Sequence, residues 1–456
     1  MTMQAPNPLA DFQWERQPAA EEFIRGLVAE FVGRNGFAAE LARRMQAETG
    51  TRFYDWVEAI FVPPAAATEE KLRAVGYQPA RDRRGLLPGI WANPHGMFPR
   101  IGFSDGNATA VHLKVTSVID FADVWRLEKI EGGPGAAYRR VLASSESNAQ
   151  LWAAERWGHV GFGVPDDGAA RAVAIQRVLE SFITRPRDLA TDDEAYAHAL
   201  KLIEASPVEV DATCALWFEA ERRYWQRRNR AAQVQKARQD RLGLGWGNHD
   251  HHTYRCSREN FKHLVAVWEK LGLHCRERFY AGREAGWGAQ VMEQPYAGII
   301  TFNDVDLTPD ELMGDFSHDG LAPREKLGTV GLWCALHGDS FAQAGMHHLE
   351  AQFDFDNLRE QLEREDGVKT MKPFTNFTYL RQAFTEGERW KVSERRLQRA
   401  LDDGYITPDQ AKLFREQGAI GSHLENLERN EGFKGFNQTG VSEIIAATDP
   451  RKQVTA

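Results

Sequence analysis

Cysteine is scarce in this chain: Cys214, Cys256, Cys275 and Cys334 stand apart, and no two form a Cys-x-x-Cys pair. That excludes a disulfide framework as the organising principle and favours reduced thiols, so a cytoplasmic protein is expected. The opening MTMQAPNPLADFQWERQPAAEEF has no apolar stretch of the kind a secretory signal requires. No apolar run approaches the ~18 residues of a membrane-crossing helix, so no membrane partner is expected. Positive charge is also short, with 56 Lys and Arg against 65 Asp and Glu and a net charge of −9. A general nucleic-acid role is therefore not expected. Nucleotide signatures are missing as well. The GGPG at Gly132–Gly135 is not followed by Gly-Lys-Ser/Thr, and the GLGWG at 243–247 lacks a strand-to-helix setting.

What the 456 residues do contain is bulk for a large core: 42% hydrophobic residues, 13 Trp and 25 Phe. Residues 1–50 read as a helical segment, with AAEEFIRGLVAEFVGRNG at helical spacing. Residues 51–205 read as a first strand, helix, strand, strand unit with insertions. Residues 206–245 read as a bridging helix. Between Glu219 and Arg241 it carries eight Arg and Lys against three Asp and Glu, and a solvated face is expected in preference to an RNA-binding one. Residues 246–310 restart the strand, helix, strand, strand pattern, and Phe261, Leu264, Val265 and Trp268 share one helix face. Residues 311–456 read as mainly helical, including SHLENLERNEG, with a polar loop near the end. The fold class expected is α+β: two βαβββ modules forming a cupped sheet, with added helical segments.

The stretch WGNHDHHTYRCSRENF, Trp246 to Phe261, carries the densest histidine in the chain. In a strand, side chains alternate between faces, so His251, Thr253 and Arg255 share one and His252, Tyr254 and Cys256 the other. Only one of the two adjacent histidines can point into a cavity: His251 in this register, His252 in a shifted one. Glu293 lies on a later strand of the same unit, where a carboxylate could join an imidazole at one ion. His95, in the turn NPHGMFPR, is the candidate third ligand, with His347 and His348 behind it. His112, His159 and His337 read as hydrogen-bonded structural residues.

DHHTYRCS, the VWEKLGL helix and AQVMEQP together resemble one module of the vicinal-oxygen-chelate superfamily. Its members pair two βαβββ units into a cup around a divalent metal. The resemblance spans roughly residues 248–305 and, more faintly, 52–105. Within that superfamily the chain is similar to the 2-oxoadipate dioxygenase/decarboxylase family. VMEQPYAG resembles that family's EIEQRG-like strand at Glu293. HHTYR resembles its His-to-Arg strand at His251 and Arg255, and GFNQTGVSEII sits where that family has a substrate-side loop. One departure stands: the first-module strand YDWVEAIFVPP has no histidine, so Asp55, Glu58 or His95 would have to replace it.

The resemblance implies Fe(II), or alternatively Mn, Ni or Zn, held by His251 and Glu293. It also implies a 2-oxo acid or related small carboxylate and O₂ as reactants, with no catalytic residue beyond the metal. Arg255 and Arg100 would take a substrate carboxylate, because a guanidinium forks onto one, and Gln438 and Thr439 would orient it. Two other readings stay open: a metal-dependent isomerase or lyase of the same fold without O₂ chemistry, and a metal-free small-molecule-binding protein.

Overall fold

The computed structural model describes residues 14–82, 85–159, 161–165, 168–437 and 449–451. Its strands form two mixed sheets, and each sheet holds two βαβββ modules side by side. In the first sheet, β1 (Val57–Val62) leads through the helix Glu69–Ala74 to β2 (Gln78–Asp82), β3 (Gly85–Ala92) and β4 (Arg100–Phe103). The second module is β5 (Thr109–Lys114), the helix Val118–Trp125, β6 (Ile130–Glu131), β7 (Tyr138–Glu146) and β8 (Ala149–Arg156). The strand order is β2-β3-β4-β1-β5-β8-β7-β6.

The second sheet repeats the plan. Its third module is β9 (His249–Arg255), the helix Phe261–Lys270, β10 (His274–Tyr280), β11 (Trp287–Gln294) and β12 (Ile299–Asp306). The fourth is β13 (His348–Gln352), the helix Phe355–Asp366, β14 (Thr375–Phe377), β15 (Leu380–Phe384), β16 (Glu388–Trp390) and β17 (Ala419–Arg429). The order is β10-β11-β12-β9-β13-β17-β15-β14, with β16 also on β17. The α+β class and the paired βαβββ units are those expected, but there are four modules, two per cup.

Two segments therefore differ from the sequence reading. Residues 51–205 hold two modules where one with insertions was expected. The region 311–456, expected to be mainly helical, supplies the whole fourth module. SHLENLER lies in the long strand β17, whose Leu424 fills the core under the sheet while Leu427, on the face of Glu425, is also wholly buried.

Each cup closes over its own apolar layer. Ile60, Val111, Leu113 and Leu151 pack under the first with Phe31 and Leu41 of the N-terminal helices. Under the second, Phe261, Leu264, Val265 and Trp268 line up on one helix face as their spacing requires, each wholly buried. Side chains with short polar ends start the module helices: the Thr68 and Ser117 hydroxyls accept the N–H of Lys71 and Asp120 at 3.2 Å.

The bridging segment is two helices, Val210–Gln226 and Arg230–Asp240, and the first is buried along most of its length. Arg223, Arg227, Arg230 and Arg241 are exposed, as a solvated basic face requires, but other charges of the segment are turned inward. Glu219 pairs with Arg222 and Arg223 at 3.0 and 2.7 Å, and Arg228 lies 3.9 Å over the Trp390 ring. Arg238 donates to Glu48 O at 3.0 Å, and Asn229 donates to Ser422 Oγ at 2.8 Å. These bonds tie the segment to both the N-terminal region and β17. No described helix is long and apolar enough to cross a membrane.

Candidate metal centre

The two central ladders of the sheets share a local register. In the first, β1 and β5 run antiparallel with Val57 opposite Leu113 and Ala59 opposite His112, skipping one residue of β1. In the second, β9 and β13 do the same, with His249 opposite Ala351 and His251 opposite Glu350. The next strand continues in parallel, placing Trp152 beside His112 and Glu425 beside Glu350. Three adjacent strands thus bring His251, Glu350 and Glu425 together. One donor atom from each lies within 4.8 Å of the others, and all three residues are buried.

Each donor is held from behind. Asp250 accepts from Arg429 at 3.0 and 3.1 Å and from Gln352 at 3.0 Å. Burial opposes its charge, yet Arg429 and His251 hold its carboxyl well below the usual range. An ionised Asp250 can only accept, so the contact at 2.8 Å places the proton on His251 Nδ1. That leaves Nε2 facing Glu350 Oε1 at 3.1 Å. Glu350 Oε1 also receives the Thr253 hydroxyl at 2.5 Å and faces His348 Nε2 at 2.7 Å.

Glu350 Oε2 has no hydrogen-bond partner although it is buried. Burial would raise the Glu350 pKa, but His251 and His348 overcome it and hold it low, at about 2. Glu425 accepts from Gln382 at 2.8 Å, and burial beside Glu350 pushes its own pKa well up.

Two carboxylates side by side in a dry site are costly without a cation between them. The lone Glu350 oxygen and the imidazole oriented by a carboxylate are the features that metal sites use. The residues present therefore fit a divalent ion, with His251, Glu350 and Glu425 as donors and His348 Nε2 within reach of both carboxylates, at 2.7 and 3.6 Å. A nitrogen-and-oxygen set without thiolate suits Fe(II), Mn(II) or Zn(II) better than soft metals.

A cavity of about 500 Å³, counted out to its mouth, opens from the trio. Its walls are mainly aromatic: Phe279, Trp287, Phe302, Phe374, Phe384 and Phe436. Arg255 and Asp304 supply the polar end. Their charged groups are 3.6 Å apart, longer than a hydrogen bond, and Arg255 Nε and Asp304 Oδ1 have no hydrogen-bond partner. Burial outweighs Arg255 and pushes Asp304 up to about 8.

His251 and Arg255 thus share one cavity, as the alternation on β9 predicts. His252 faces the other way, its Nδ1 on Ile300 O at 3.2 Å and its Nε2 on Arg222 at 3.1 Å. Glu293 is not at the centre. Its side chain pairs with Lys434 at 3.0 Å and Arg276 at 3.4 Å. The carboxylates come from the fourth module instead. His95 sits in a turn whose backbone N–H bonds Asn93 in the first half of the chain, and is not in the donor cluster. Neither is Asp55, paired with Arg52 at 2.7 Å, nor Glu58, paired with Arg156. Arg100 lines a separate cavity between the cups. Gln438 and Thr439 lie outside the described residues.

Sequence reasoning missed Glu350 and Glu425, and a signal was there. His348-Leu349-Glu350 and His423-Leu424-Glu425 repeat one tripeptide, and the two copies pair residue for residue. A second group of possible ligands, Glu269, Cys275 and His318, lies near the surface, where His318 is already bridged to Glu269 and Asp315.

Neither the family models nor the curated proteins contain a match to this chain. Solved structures show distant likeness. A putative glyoxalase superfamily protein from Ralstonia eutropha JMP134 is 13% identical, with TM-score 0.35, covering 58% of this chain and 95% of its own. A triple mutant of 4-hydroxymandelate synthase from Streptomyces coelicolor is 11% identical, with TM-score 0.25, covering 75% and 97%. Methylmalonyl-CoA epimerase from Mycobacterium tuberculosis is 13% identical, with TM-score 0.24, covering 40% and 89%. At such scores the likeness carries no functional weight, and the modular fold rests on the strand order itself.

Proposed function

We propose that the second cup is the active site of a metal-dependent oxygenase, of the dioxygenase/decarboxylase kind, acting on a small 2-oxo acid. The observation that carries this reading is the buried His251, Glu350 and Glu425 trio at the floor of a cavity that also presents Arg255. Fe(II) held there would act as Lewis acid and redox centre for the 2-oxo acid and O₂. The chain's own residues do the rest. Asp250 fixes the His251 ring. Thr253 and His348 steady Glu350. With Asp304 kept neutral by burial, the Arg255 cation is left to pair with a carboxylate of the substrate. The aromatic walls exclude water and favour a substrate with an apolar body over a second charged arm. The resemblance to the 2-oxoadipate family supports the reaction class more than that acidic substrate.

A second reading, an isomerase or lyase without O₂ chemistry, draws on the raised pKa of Glu425, which gives the site a carboxyl able to hold a proton beside an ionised partner. One experiment separates the two. The protein is purified without oxygen, its metal content measured, and O₂ uptake followed with 2-oxo acids bearing apolar or acidic arms. The oxygenase reading expects iron and substrate-dependent O₂ consumption, both lost in Glu350→Gln. Turnover of a 2-oxo acid with no O₂ consumed would replace it with the second reading.

A further inference from the structure

A second cavity, of about 700 Å³ counted out to its mouth, lies between the cups on the opposite side of β9 from the trio. Four cations line it, Arg100, Lys114, Arg156 and Arg222, against two carboxylates, Glu58 and Glu219. The carboxylates are already engaged, Glu58 with Arg156 and Glu219 with both Arg222 and Arg223, although Glu58 Oε2 itself is buried without a hydrogen-bond partner. The remaining contacts of Lys114 and Arg222 are to neutral groups. His249 directs Nδ1 to Trp246 O at 2.9 Å, which leaves Nε2 to accept from Lys114 Nζ at 3.3 Å. His252 in the same way directs Nδ1 to Ile300 O and accepts from Arg222 on Nε2.

Lys114, Arg156 and Arg222 thus outnumber Glu58 and Glu219 in this cavity, and Glu219 is shared with Arg223. Arg156 Nη2 and Arg222 Nε are buried without a hydrogen-bond partner, and the side chains of both are about nine-tenths buried, 9% exposed in each case. The indole N–H of Trp246, on the same wall, is also unpartnered. A buried guanidinium left short of acceptors costs free energy unless something else supplies them. What would supply them here is an anion rich in oxygen acceptors.

We infer that the cavity between the cups is a binding site for a small oxyanion, a dicarboxylate or a phosphate, held by Lys114, Arg156 and Arg222. The site is independent of the metal, since none of the trio lines it.

The test is saturation binding on the full chain with EDTA present, by calorimetry and by thermal unfolding. Malonate and inorganic phosphate are the probes, with sodium chloride at matched ionic strength as control. Saturable binding of one or both, with a rise in Tm beyond that in chloride, is the expected result. Whichever of the two saturates identifies the source of the oxyanion. Lys114→Met weakens that binding at least tenfold, Lys114→Arg retains it, and His251→Ala leaves it unchanged. The inference is overturned if neither anion saturates in the parent protein, or if Lys114→Met binds as tightly as the parent. It is equally overturned if His251→Ala abolishes binding, which would put the anion at the metal centre. Failure of the oxygenase reading would leave this result untouched, because no metal and no turnover enter it.

Discussion

Where the second cup sets His251, Glu350 and Glu425 at its floor, the first sets Ala59, His112 and Trp152 in the positions that the ladders make equivalent. The neighbours change with them. Thr253, whose hydroxyl steadies Glu350, has Phe61 as its counterpart, and Phe302 has Gly102. The Phe61 ring folds over Gly102 and lies 5.0 Å from the His112 ring and 5.1 Å from Phe162. His112 Nδ1 is taken by the Tyr138 hydroxyl at 2.6 Å, and burial holds this imidazole uncharged. The first cup is filled with its own side chains, and its imidazole already has a partner in Tyr138. The second is left open, with polar atoms unpaired. The βαβββ plan by itself therefore does not set a trio of metal-fitting donors; three ladder positions and the residue beside them do.

The comparison breaks most visibly at the metal. His251→Ala and Glu350→Gln are expected to reduce metal from about one ion per chain to a small fraction of that, whereas His112→Ala in the first cup leaves it unchanged. Elemental analysis decides, and loss of metal in His112→Ala would dissolve the distinction.

The next effect belongs to the cavity between the cups. Burial, abetted by Arg222, Arg156 and Arg100 and opposed by Glu58, brings Lys114 down from 10.5 to about 8. The unfolded chain therefore binds the proton more tightly. Below pH ~8 both states are protonated and the full cost of the buried cation is present. As pH rises from about 8 to 10.5 that cost is relieved, so the parent protein gains up to roughly 3 kcal/mol of stability from this group. Lys114→Met is expected to lack this gain, which denaturant unfolding across that window would show as a flatter pH profile.

Asp250→Asn sharpens the account of the trio. It removes the charge that fixes the His251 tautomer, and an expected ~10–100-fold loss of metal affinity follows, measurable by competition with a chelator. The smallest effect is in the first cup. A Cβ at Gly102 would meet the Phe61 ring at 2.4 Å. Gly102→Ala should cost about 1–2 kcal/mol in thermal unfolding without changing metal content, and Phe61→Leu should relieve it.

The third module was legible because its periodicities are clean. Alternation separates His251 from His252, and helical spacing groups Phe261, Leu264, Val265 and Trp268. The fourth was hidden by β17, where apolar residues at Leu424 and Leu427 mimic a helix and charged residues stand at buried positions. A buried Glu425 reads as a solvated one until the partner strand is known. Glu293 misled for the converse reason. Strand and residue type were right for a ligand, but Arg276 and Lys434 come from elsewhere in the chain and claim it. The basic bridging segment shows the same limit, because its charges meet partners distant in sequence.

β9 is a partition with a different chemistry on each side: His251 faces the aromatic cavity, and His249 and His252 back the cationic one. Point substitutions can alter one side and spare the other. Deleting one residue between His251 and Arg255 cannot, because the two then fall on opposite faces. Either His251 leaves the trio and turns toward Arg222, or Arg255 leaves the aromatic cavity. This stretch should tolerate a change of residue far better than a change of length, and a deletion scan through it would part His251 from Arg255 in one step.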